Sequence, residues 1–159
     1  MASWQRFEEE APELAAKARG FLEARVHKTI ATLRVDGSPR ISGIEAFWAG
    51  GELLFGSMPN ARKAIDLQRD PRFALHSGSI DPPEWEGDTK LSGRAVEITD
   101  PEERIRLFRT RGSDPPSPQS HLFRADLAEV STVSLNPERT KLVIELWKPG
   151  QGVRRMERA

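Results

Sequence analysis

Thr32-Leu33-Arg34-Val35-Asp36-Gly37-Ser38-Pro39-Arg40-Ile41 reads as two β-strands folded back on each other. Ala31, Leu33 and Val35 put one apolar face on a strand from Thr29 to Val35, and Asp36-Gly37 is a two-residue hairpin signal because both residue types tolerate positive φ. A hairpin forces antiparallel pairing, so the class of the sheet is decided here. The return strand spans Pro39 to Trp48, Ala49-Gly50-Gly51 turns the chain again, and Glu52 to Ser57 is a third strand of the same meander.

Outward from this core the remaining elements follow. Upstream, Leu14, Ala15, Ala18, Phe21, Leu22 and Val26 keep helical spacing, which predicts an amphipathic N-terminal helix over Ala11 to Val26 with Pro12 in its first turn. Downstream, Asn60 is the expected N-cap of a helix carrying Ala61, Ala64, Ile65 and Leu67. Asp70-Pro71 ends it, because a residue before proline avoids helical geometry. Phe73 to Ile80 is a fourth strand, Asp81 to Gly87 a rigid loop and Thr89 to Ile98 a fifth strand. Asp100, Pro101 and Glu103 then form a capping pattern opening a helix with Ile105, Leu107 and Phe108 on its apolar side. That helix gives out near Gly112, and Ser113 to Pro118 is irregular. Val130 to Leu135 and Leu142 to Trp147 are the last expected strands, and Pro149 to Ala159 is a polar, basic tail without periodicity. The sum is a mainly β chain with flanking helices, a small antiparallel barrel of six to seven strands in a single domain over residues 1–159.

Composition excludes several classes. A formal net charge of zero with scattered basic residues is not the footprint of a nucleic-acid binder. No apolar run is long enough to cross a bilayer and the first ten residues lack a signal peptide's apolar centre, so a cytoplasmic location is expected. Absence of cysteine removes disulfides, thiolate nucleophiles and sulfur-ligated metals, and nothing shows metal-ligand spacing.

One local conflict is open to two readings, a surface helix whose charges reach into water or a bound anion. Arg62 and Lys63 fall in the first turn of the helix after Ser57, where free N–H groups already carry partial positive charge, so the pair costs a few tenths of a kcal/mol unless an anion sits nearby. A phosphate reverses that sign, and the Ser57 hydroxyl, the helix amides and two cations are the parts a phosphate cradle needs.

Several segments in order resemble the pyridoxamine 5'-phosphate oxidase-like split-barrel superfamily of flavin and deazaflavin oxidoreductases. They are the hairpin from Thr32 to Ile41, the strand Gly51-Glu52-Leu53-Leu54-Phe55-Gly56-Ser57, the helix and strand from Arg62 to Leu75, and Leu91 to Asp100. The resemblance implies a split barrel that binds FMN or the deazaflavin coenzyme (F-420) at a homodimer interface and acts on a small-molecule substrate. It carries cofactor contacts onto Ser42, Gly43 and Ile44 in the second strand, onto Gly56 and Ser57 in the third, and onto Arg62 and Lys63. Gly43 is an unfavourable mid-strand choice that close approach by a ligand, or a β-bulge, would explain. The family's Arg-Pro-Met-type run is replaced by Ser42-Gly43-Ile44, so one cation near the ring is missing. The C-terminal signature of true pyridoxamine phosphate oxidases is also absent, which argues against vitamin B6 oxidation. A basic tail near a shared site would suit the acidic tail of a deazaflavin.

The cofactor ring carries hydride chemistry itself, and no catalytic residue is assigned. His27, His76 and His121 are far apart in sequence, there is no tyrosine, and the bland role of packed or half-exposed imidazoles fits all three. Trp48, Trp85 and Trp147 are candidates for covering a ring, Trp147 foremost. The alternatives are a non-catalytic flavin- or haem-binding barrel and a barrel used only for protein contacts.

Overall fold

The computed structural model describes residues 1–159. Strands β1 (His27–Leu33), β2 (Pro39–Ala49) and β3 (Glu52–Ser57) form the expected antiparallel meander. Its first turn is longer than two residues. Pairing stops at Leu33 opposite Pro39, the Arg34 amide donates to the Ser38 carbonyl, and Gly37 supplies a φ of 84° while Asp36 accepts from the Ser38 amide and hydroxyl. A three-residue loop ending in a left-handed residue preserves the strand twist. The second turn has the two-residue form, with Ala49 opposite Glu52.

Strand β4 (Arg72–His76) lies on the other side of β1 and is followed by β5 (Gly87–Glu97) and β6 (His121–Leu135). β4 stops four residues short of the expected Ile80. β6 begins nine residues before the expected Val130, and its first residues pair with β3, closing a six-stranded antiparallel barrel in the order β3-β2-β1-β4-β5-β6. Alternation runs from Phe123 to Leu127, but Leu122 is buried on the outer face and Ala128, left without a partner between Leu127 and Glu129, shifts the phase before Val130. Phe123 packs inside the barrel with Phe55 and Phe73, whereas Leu122 packs outside with Leu54, Leu107 and Phe108. The outer layer belongs to the helix α4 (Pro101–Arg109), capped as expected by Asp100, which accepts from the Glu103 amide at 3.0 Å.

Two further strands extend the sheet beyond β6: β7 (Leu142–Lys148) and β8 (Gly152–Arg158). β8 lies in the tail that carried no periodicity, and it pairs along its length with β7. Every residue of β8 is solvent-exposed, so backbone pairing makes the strand and no burial pattern records it.

The helix expected over Ala11 to Val26 is α2 (Pro12–Glu23), and a further helix, α1 (Trp4–Glu10), precedes it, the two separated at Ala11. Pro12 starts α2 because its missing N–H is harmless at the first helical position. α1 delivers Trp4 and Phe7 into the core, and the expected stripe of α2 is buried at Leu14, Ala15, Ala18 and Leu22. The remaining helix, α3 (Arg62–Arg69), bridges β3 and β4.

Candidate cofactor-binding site

The passage from β3 into α3 differs from the sequence reading in one detail that opens it to a ligand. Asn60 does not cap the helix. It adopts a left-handed φ of 57°, which asparagine accepts more readily than most residues, and Ala61 takes the capping position without a side-chain oxygen. The Asn60 amide donates to His121 Nε2 at 3.3 Å, whereas the amides of Arg62 and Lys63 have no acceptor in the chain. The helix mouth is therefore uncapped.

Asp66 sets where that mouth points. Its carboxylate, 3% exposed, accepts from Thr32 Oγ1 on β1 at 2.8 Å, from Arg40 Nε on β2 at 2.7 Å and from Arg69 at 3.2 Å. Burial pushes its pKa up, but the hydrogen bonds from Arg40, Thr32 and Arg69 together outweigh burial and hold the carboxyl below the usual aspartate value. α3 is thus bolted through one residue to both hairpin strands.

In front of the mouth is a pocket of ≈ 350 Å³ lined by Gly43, Ile44, Gly56, Ser57, Met58 and Lys63, with Phe108 and Arg111 opposite. Lys63 Nζ donates to the Gly43 carbonyl at 3.0 Å. Gly43 sits in unbroken register opposite Thr29, which removes the β-bulge explanation, and a Cβ built on it meets no atom within 4 Å. Nothing in the protein itself requires glycine there. Gly56 is different: a Cβ there would approach the Phe108 ring to 3.2 Å, so packing of α4 accounts for it.

The pocket brings together Gly43, Ile44, Gly56, Ser57 and Lys63, five of the eight residues expected at the site. Ser42 and Arg62 lie outside its lining, Arg62 exposed at the helix mouth. Trp147 is placed elsewhere altogether. It is fully buried, its ring 4.5 Å from Phe7, and its Nε1 donates to Glu10 at 3.1 Å, so it joins α1 to β7 and no ring could reach it. No residue of the basic tail lines the pocket.

Arg111, just beyond α4, had no signal in the sequence. Its guanidinium lies 2.8 Å from Glu45 Oε2 and 4.9 Å from the centre of the Phe47 ring, and it brings to the pocket wall a cation that the second strand lacks. The Arg111 hydrogen bond outweighs partial burial and lowers the Glu45 pKa. His27 and Ser120 also line the pocket, whereas His76 lies 3.4 Å from Asp88 and outside it. His121, read as a bland boundary residue, is tied to the Asn60 turn instead.

A six-stranded antiparallel barrel with a pocket beside a strand-to-helix turn now has a sequence counterpart, since the family model for pyridoxamine 5'-phosphate oxidase matches residues 14–134. The chain belongs to this family. Solved structures with the pyridoxamine 5'-phosphate oxidase fold resemble it over most of its length. PhzG from Burkholderia lata 383, determined with tetrahydrophenazine-1-carboxylic acid, is 14% identical, with a TM-score of 0.67 over 94% of this chain and 92% of that one. A pyridoxamine 5'-phosphate oxidase-related, FMN-binding protein from Nostoc punctiforme PCC 73102 is 15% identical, with a TM-score of 0.66 over 92% and 95%. An F420 reductase is 21% identical, with a TM-score of 0.55 over 70% and 94%. No curated protein matches the chain in sequence. No helix is long and apolar enough to cross a membrane.

Proposed function

We propose that the chain is a flavin- or deazaflavin-dependent oxidoreductase that moves a hydride to or from a small organic substrate, with FMN or F420 held at the interface of a homodimer. The observation that carries this reading is the open side of Gly43, a glycine no protein contact demands, facing the pocket into which Lys63 reaches. The two acceptor-less amides of α3, the Lys63 ammonium and the Ser57 hydroxyl are suited to hold a phosphate, and Gly43 and Ile44 offer backbone for the ring to lie along. When bound, the ring itself supplies the hydride chemistry, which leaves the chain to bind, orient and exclude water. The pocket volume lies within the usual range for small-ligand sites. Ile41, on the same face of β2 as Gly43, and Met58 on the pocket rim are 75% and 70% exposed, apolar surface that a second copy would cover.

Titration of the purified chain with FMN and with F420, followed by absorption and paired with light scattering, tests the reading. Saturable binding of one of them by a dimer is the expected result. Haemin is the control for the passive haem-binding alternative: a Soret band without flavin or deazaflavin binding would replace the proposal.

A further inference from the structure

The turn that presents the mouth of α3 is held by a histidine used as an acceptor. His121 Nδ1 lies 2.7 Å from Glu97 Oε1, and its Nε2 lies 3.3 Å from the Asn60 amide nitrogen. An N–H can only donate, so Nε2 must be unprotonated; the proton of the neutral ring is then on Nδ1, donated to Glu97. Glu97 in turn accepts from Gln68 Nε2 at 2.9 Å, in the last turn of α3. Both ends of α3 are therefore tied to one Glu97–His121 pair, its last turn through Gln68 and the turn before its first residue through Asn60. Phe123 stacks beside the imidazole, and Ser57 on β3 is its strand partner. Glu97 from β5 is the acidic group at ion-pairing distance, and the residues that bond to, pair with or stack on the two, Asn60, Gln68, Ser57 and Phe123, are uncharged.

We propose that His121 is a positioning residue that holds the phosphate-binding turn only while neutral, so that protonation of Nε2 sets N–H against the Asn60 N–H, frees the turn and weakens cofactor binding. The left-handed Asn60 needs such support, because a non-glycine residue in that region is held by its surroundings. This inference rests on the phosphate reading of the α3 mouth.

The test compares FMN affinity of the wild-type chain and of His121→Gln from about pH 8 to about pH 5.5, the span over which imidazoles ordinarily gain a proton. Glutamine keeps an acceptor and does not titrate. The phosphate's own second ionisation acts on both proteins, so the readout is the difference between their slopes. The expected result is near-equal affinity at the alkaline end and an extra loss of about tenfold in the wild type at the acid end. In the apo chain, the Asn60 amide should lose hydrogen-exchange protection along the same curve in the wild type and keep it in His121→Gln. Parallel slopes with FMN bound by both, or an Asn60 amide indifferent to pH, would overturn the positioning role. An Asn60 amide that responds as expected in a chain that binds neither FMN nor F420 at any pH would overturn the phosphate reading and the proposal built on it.

Discussion

Lys63 Nζ donates to the Gly43 carbonyl at 3.0 Å, tying the first turn of α3 across the pocket to the middle of β2. The bond is solvent-exposed, so it adds little to folding, whereas the ammonium stands where a phosphate or ring would benefit from charge. Lys63→Ala should weaken FMN binding by about 1–3 kcal/mol and leave apo unfolding in urea nearly unchanged. Equal losses in both measurements would make Lys63 a structural residue.

Gly43→Val places a branched side chain in the open side of β2. Because strand interiors favour such residues over glycine by about 0.5–1 kcal/mol, the apo protein should be as stable as the wild type or more so. FMN affinity should fall by at least about tenfold, since the methyls occupy the ligand's space. Unchanged affinity would remove the observation on which the functional reading stands.

Asp66 makes a pH prediction with a definite sign. Its pKa is lowered in the folded state, so its stabilisation is complete above the ordinary aspartate value of 3.8 and is lost as the pH falls through the folded value. Acid unfolding monitored by circular dichroism should show this loss below about pH 4 in the wild type. Asp66→Asn, which leaves Arg40 without its partner, should cost about 2–4 kcal/mol at neutral pH and flatten the acid limb. An unaltered acid limb would assign acid sensitivity to other carboxylates.

Trp147→Phe separates core from site. It removes volume beside Phe7 and the donor to Glu10, and should cost about 1–3 kcal/mol of stability in chemical denaturation. FMN affinity of the folded protein should stay within about twofold of wild type, because no part of Trp147 lines the pocket. A selective loss of affinity at full stability would contradict its placement.

Local pattern alone determined the antiparallel meander from β1 to β3, the end of α3 at Asp70-Pro71, the Asp100 cap and the conflict of charge at the start of α3. Each depends on residues within a few positions of one another, where turn chemistry and helix capping act directly. Only the tertiary structure decided the rest. The first half of β6 is out of phase with the second because of the unpaired Ala128, β8 has no buried side chain to mark it, and Trp147 could be placed only once α1 was known to pack against β7. Arg111 reaches Glu45 across 66 positions and His121 reaches Asn60 across 61, contacts that barrel closure creates and no spacing rule encodes. Gly43 shows both kinds of information: its oddness was visible in the chain, but only the register with Thr29 removed the bulge as its explanation and only the fold showed the empty space beside it.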